Sequence, residues 1–152
     1  MPDLATEIKT QSLLRGLEHA EVVKIASLLE TARFAKDEYV FKESTPCRGV
    51  YMIRSGRIEI SKTTADGWRQ PLVLLARDHF LGEIALLERS NHATDARAID
   101  PAELYVLADT AFEELERTDP VLMLKIIKNI AIIGGLNVRR MNEKFLKALV
   151  NY

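Results

Sequence analysis

From Leu4 to about Thr31 the apolar residues Leu13, Leu14, Leu17, Val22, Ile25, Leu28 and Leu29 recur at three- and four-residue spacing, which predicts a helical lead-in over 4–31 with Gly16 as a break. From Arg33 to Leu107 the period shortens. Runs such as Tyr39-Val40-Phe41, Val50-Tyr51-Met52-Ile53 and Arg57-Ile58-Glu59-Ile60-Ser61 alternate or are short and apolar, as strands are, with Ile58 and Ile60 expected to face inward. Ser55-Gly56 and Asp66-Gly67 are hairpin-type dipeptides, and strands at this close spacing predict an antiparallel β-roll or jelly roll over 33–107. After Leu107 the helical period returns and predicts two helices over 109–150. Thr110 and Glu113 read as a capping box for a short helix carrying Phe112 and Leu115, and Asp119-Pro120 as N-cap and first turn of a long one.

The long helix is apolar beyond what a single buried stripe requires: Leu122, Met123, Leu124, Ile126, Ile127, Ile130, Ile132 and Ile133 spread around its first half. Such a helix needs two apolar neighbours. One is the β-roll; the other, in so small a chain, is the same helix of a second copy, giving a homodimer. Gly134-Gly135 costs roughly 2 kcal/mol relative to alanines and predicts a kink or a close helix approach.

At 152 residues and 47% hydrophobic content the chain suits one well-cored domain, 1–152, mainly β with flanking helices. Basic and acidic residues nearly cancel, 21 against 22, so overall charge points to neither nucleic acid nor membrane. A single cysteine, Cys47, excludes an internal disulfide, and no signal-peptide pattern opens the chain, which places it in the cytoplasm. The longest near-apolar run, Ile130 to Leu136, is far short of the ~20 residues a membrane span needs.

The candidate chemistry lies in Phe80-Leu81-Gly82-Glu83-Ile84-Ala85-Leu86-Leu87, followed by His92. A glycine that lets backbone approach a ligand, a carboxylate and a short apolar turn with free amides form a trap for hydroxyls and small anions. A phosphodiester held there calls for an arginine near position 92.

The order of elements, together with Tyr51-Met52-Ile53-Arg54-Ser55-Gly56-Arg57 and Phe80 to Leu87, resembles the cyclic-nucleotide-binding domain family, from about Leu13 to Leu146. That family includes sensor domains of catabolite-activator type, regulatory subunits of cyclic-nucleotide-dependent kinases and gating domains of channels. The resemblance implies that Glu83 accepts from a ribose 2′-hydroxyl, that Gly82 lets the backbone meet the sugar, and that amides at Ile84 and Ala85 face a cyclic phosphate of cyclic AMP or cyclic GMP. It implies no cofactor and no metal. The family's arginine falls at His92 and its small hydroxyl residue at Ala93, with Thr94 or Asn91 as possible substitutes. Arg89 and Arg97 are the other nearby cations. Asp37 and Asp78 replace family glycines at turns, which aspartate tolerates.

Each of these residues also has an ordinary structural reading. His92 fits an exposed loop histidine, Asn137 fits either a base contact or a polar register residue in a dimer seam, and Cys47 and Trp68 fit an incidental thiol and strand packing. His79, Glu83 and His92 are similar to parts of cupin metal sites, but the His-x-His spacing is missing. No helix-turn-helix module follows before Tyr152, and Arg139-Arg140 with Lys144 and Lys147 fit a solvated helix face, so DNA binding is not expected. The leading function is a non-enzymatic sensor of a cyclic nucleotide or other small anion that moves its C-terminal helices, the alternative is a dimerisation scaffold that binds no nucleotide, and a cupin-like metalloenzyme is a remote third.

Overall fold

A computed structural model describes residues 3–151. Three short pieces open it, α1 (Leu4–Ile8), a 3-10 turn (Ser12–Leu14) and α2 (His19–Leu28). Eight strands follow: β1 (Glu30–Phe34), β2 (Tyr39–Phe41), β3 (Gly49–Ser55), β4 (Ile58–Thr63), β5 (Arg69–Leu75), β6 (Phe80–Leu81), β7 (Asp95–Ala98) and β8 (Ala102–Ala108). The short helix α3 (Glu83–Glu88) lies between β6 and β7, and α4 (Asp109–Thr118) and α5 (Pro120–Val150) end the chain. This is the β-roll with flanking helices that the periodicity predicts.

The strands form two antiparallel four-stranded sheets, ordered β1-β8-β3-β6 and β2-β7-β4-β5. Alternation divides the core in two. Tyr51, Ile53 and Leu104 of the first sheet meet Ile58, Ala96 and Ala98 of the second inside the roll. On the other face of the first sheet, Val50, Met52, Tyr105 and Leu107 pack with Ile25, Phe112, Leu122 and Ile126 of the helices. Strand β3 is therefore buried on both faces from Gly49 to Ile53. Strand β5, by contrast, is an edge. Val73 lies opposite Ile60, which lies opposite buried Ala96, so Val73 belongs to the inward-facing set, yet it is 47% exposed. The roll is open along this edge.

Turn chemistry follows the residue types. Asp37 and Asp78 both sit at φ 72°, the left-handed region expected from their places in the sequence. Asp119 caps α5 through its carboxylate on the Leu122 amide, with Pro120 in the first turn. Arg54 holds α1 on the roll by bonding Glu7 and Glu103, each at 2.6 Å.

Three expectations are corrected. The helical lead-in stops at Leu28, and Glu30 and Thr31 pair with β8 as the start of β1. The Thr110/Glu113 capping box does not form, because α4 starts two residues earlier with Ala108 as N-cap, and the Asp109 carboxylate accepts from the Thr110 amide. Gly134-Gly135 produce no break, since α5 is continuous over 31 residues, with open space beside both glycines.

Helix α5 buries Leu122, Met123, Ile126, Asn129 and Ile130, and Asn129 donates to the carbonyls of Leu13 and Arg15. Ile133 still packs against the helical core, and beyond it the helix leaves the domain. Val138, Met141, Phe145 and Leu149 are all more than half exposed there. By length and composition α5 also suffices to cross a membrane, with a mean hydropathy of 1.7 over its most apolar stretch. Lys125 and Lys128 hide this from a count of uninterrupted apolar residues.

Candidate functional site

The cassette begins where β6 ends. Phe80 and Leu81 are buried because Leu81 pairs with Tyr51 and Phe80 with Met52, which fixes the next residue over the mouth of the roll. Gly82 then turns the chain at φ 87°, and a Cβ at this position would lie 3.0 Å from the Gly49 carbonyl oxygen. Only glycine meets both demands without strain. The first helical bond of α3 runs from the Leu86 amide to the Gly82 carbonyl, so the amides of Glu83, Ile84 and Ala85 are those a helix leaves free at its start. Ala85 is buried and Ile84 exposed.

Glu83 is half-buried, and its carboxylate meets only its own backbone amide. Burial raises its pKa above the usual carboxylate range because the charged form has lost water without gaining a cation. Its charge reaches Cys47, whose thiol is pushed up first by burial and then by Asp109 and Glu83. An unpaired, partly dehydrated carboxylate is a strong acceptor for a ligand hydroxyl.

The far end of the cassette is built differently. His92 is buried at 4% exposure, which corrects the reading of it as an exposed loop residue. Its ring stacks flat on Phe41, with centroids 3.6 Å apart and planes 4° from parallel. Tyr51 adjoins Phe41 at 6.1 Å, and the His92 Cε1 lies 3.7 Å from where a Gly82 Cβ would stand. Its backbone is fixed too, through bonds to the Thr45 carbonyl and from the Ser44 amide. Burial lowers the His92 pKa, so the ring is neutral near neutral pH and brings no charge to a phosphate.

The substitutes fare no better. Ala93 is exposed and offers only its carbonyl, which accepts from Lys62, while the Asn91 amide bonds the Ser44 carbonyl. Thr94 is half-buried beside them. Arg97 points away from the roll interior, because Ala96 and Ala98 face inward, and pairs with Asp37 and Glu59 at 3.6 Å each. Arg89 is an exposed C-cap of α3 at φ 54°. Losing a buried cation opposite an anion costs on the order of 2–5 kcal/mol. Asn137 is exposed on the outer part of α5. The structure brings Gly82 beside His92, with Glu83, Ile84 and Ala85 following on α3 and Ala93 and Thr94 following His92 in the chain, and places Asn137 on the exposed outer part of α5. Two contributors were missed in the sequence, Phe41 and Tyr51, whose aromatic type in inward strand positions was the available signal.

A cleft of about 260 Å³ lies between α3 and the start of α4, lined by Cys47, Leu86, Arg89, Asp109 and Glu113. It lies between α3 and the helical end of the chain, and its lining includes neither Gly82 nor Glu83. Among the described residues His79, Glu83 and His92 do not converge on a metal-holding group, and His79 instead accepts from the Ala76 amide.

The chain resembles known proteins at this same segment. Residues 31–119 match the family model described as the cyclic nucleotide-binding domain. A cAMP-dependent protein kinase regulatory subunit from Emericella nidulans is 32% identical over 68% of this chain and 24% of its own length. A cyclic AMP receptor protein from Thermus thermophilus is 25% identical over 92% of the chain and 62% of its own. The crystal structure of the Thermus thermophilus catabolite activator protein superposes with a TM-score of 0.74 at 24% identity, covering 92% of this chain and 62% of that one. This chain therefore spans less than two thirds of each of these relatives. With the family model matched across more than half its residues, over both sheets and the cassette, the chain belongs to the cyclic nucleotide-binding domain family.

Proposed function

We propose that the chain is a non-enzymatic ligand-sensing domain that signals by repositioning α4 and α5 against the roll. The observation that carries this reading is Glu83, a half-buried carboxylate with no side-chain partner, held over the roll by left-handed Gly82. A folded domain keeps such a group at a cost in stability, which a ligand hydroxyl offsets. The cleft between α3 and α4 provides the mechanical joint. A ligand that closes α3 onto the roll changes the seat of α4, and the equilibrium shifts by its differential affinity for the two arrangements.

The free half of α5 supplies the output. Gly134, Val138, Met141, Phe145 and Leu149 lie at three- and four-residue intervals on one exposed stripe, which fits the same stripe of a second copy. In this reading the protein is a cytoplasmic homodimer. The test is hydrogen exchange across α4 and α5 during titration with cyclic AMP, cyclic GMP, adenosine and guanosine. Changed protection in α4 or α5 with any of them supports the sensor, and binding without such a change removes the signalling step.

The scaffold reading is favoured by one observation, the His92–Phe41 stack that takes the place of the family's cation. It predicts no binding of any of the four compounds at millimolar concentration, with a dimer by sedimentation.

A further inference from the structure

The cassette combines an intact sugar-side acceptor with a charge-free phosphate side, and this combination defines a class of ligand. Glu83 is a lone anion with no compensating cation bonded to it. A phosphodiester beside it would put two like charges into one half-buried site, at a separation where they repel strongly. The local cations are engaged or exposed. Arg97 is held by Asp37 and Glu59, Lys62 by Glu43 and the Ala93 carbonyl, and Arg89 is exposed at the end of α3. Arg48 is exposed in the loop ahead of β3 and bonds no carboxylate among the described ion pairs.

The position of the family's arginine is occupied by a neutral ring already stacked on Phe41, and the hydroxyl position after it by an alanine. The roll meanwhile remains open along β5, where the inward-facing Val73 is 47% exposed opposite half-buried Ile60. That edge presents apolar side chains that a flat, uncharged ring can cover.

From the unpaired Glu83, the His92–Ala93 end whose one bonded cation, Lys62, is already tied to Glu43, and the apolar edge at Ile60 and Val73, we infer that this site takes an uncharged ribonucleoside in preference to the corresponding cyclic nucleotide. The ribose hydroxyl donates to the Glu83 carboxylate, the base lies toward the open edge, and no phosphate has to be dehydrated. This inference rests on the ligand-sensing reading above and narrows its ligand.

Calorimetric titration of the full chain with adenosine, guanosine, cyclic AMP and cyclic GMP tests it, together with Glu83→Ala and Arg48→Ala, each checked for folding by circular dichroism. The expected result is a nucleoside bound at least about tenfold more tightly than the cyclic nucleotide of the same base, a ratio equal to one decade in Kd. That binding should be lost in Glu83→Ala and unchanged in Arg48→Ala. A cyclic nucleotide bound as tightly as its nucleoside overturns the inference and leaves the sensor reading standing; if that affinity falls in Arg48→Ala, Arg48 replaces the missing arginine. Nucleoside binding indifferent to Glu83→Ala also overturns the inference, because the ligand then sits elsewhere. Silence from all four compounds at millimolar concentration removes the inference and the sensor reading together. The double variant His92→Arg/Ala93→Ser should reverse the preference if it folds, and the wild-type titration decides if it does not.

Discussion

The two ends of the cassette are made of the same kind of loop, but their polar groups do opposite things. At the Gly82–Glu83 end the backbone is fixed and the side chain is unsatisfied. At the His92–Thr94 end the side chains are engaged within the fold, in a stack on Phe41 and a tie from Lys62 to the Ala93 carbonyl. The first arrangement holds a functional group ready at a cost in stability, and the second contributes stability where a functional group would otherwise stand.

The largest expected effect lies at the engaged end. His92→Ala removes a buried stacked ring and should destabilise the domain by about 2–3 kcal/mol in urea unfolding. A change below about 0.5 kcal/mol would mean that the ring is not part of the core and would erase the contrast. Next is Gly82→Ala, which combines φ 87° with a Cβ at 3.0 Å from the Gly49 oxygen. A loss of about 1–3 kcal/mol is expected from that strain, read from the same denaturation curves.

Acid should separate the two ends by sign. His92 binds its proton less readily folded than unfolded, so its contribution is fully present above the unfolded pKa near 6.5 and is lost as pH falls below it. Glu83 is the reverse. Its folded pKa is raised, so the folded state gains protons first, and its unfavourable contribution at neutral pH disappears as pH falls through that folded pKa toward 4.5. Comparing wild type with His92→Phe and with Glu83→Gln from pH 7.5 to pH 4.5 should give pH slopes of opposite sign. Equal slopes would show that burial does not disfavour the charged form of both groups. The smallest expected effect is Glu83→Gln itself, which should stabilise the ligand-free protein by up to about 1 kcal/mol at pH 7.5 and by nothing once the wild-type carboxyl is protonated. Destabilisation instead would reveal a hidden partner for Glu83.

The roll was legible because alternation is a local signal: Ile58 and Ile60 declare their face within five residues of sequence, and Asp119-Pro120 declare a helix start within two. The left-handed aspartates Asp37 and Asp78 were legible for the same reason. The turn at Gly82 and the carboxylate at Glu83 were legible too, because backbone freedom and charge belong to the residues themselves. The burial of His92 was not. Whether that ring is exposed depends on Phe41, which arrives from another strand, and no local pattern records the stack. The α4 cap failed on a smaller scale, since Asp109 sits beside Thr110 and competes for the same amide. Gly134-Gly135 predict a kink or a close helix approach because propensity alone disfavours them, and of the two the kink is absent, since the helix runs through them unbroken.

That unbroken helix has a mechanical consequence. Its base is clamped by Asn129 on the Leu13 and Arg15 carbonyls and by Lys125 on Glu21, and everything past Ile133 is a projecting rod. At 1.5 Å per residue the projecting part is about 25 Å long, so a tilt of about 5° at the clamp swings the tip sideways by about 2 Å. α5 is thus shaped as a lever with its fulcrum beside the 12–14 turn, and a sub-ångström adjustment at its base is magnified at Phe145 and Leu149.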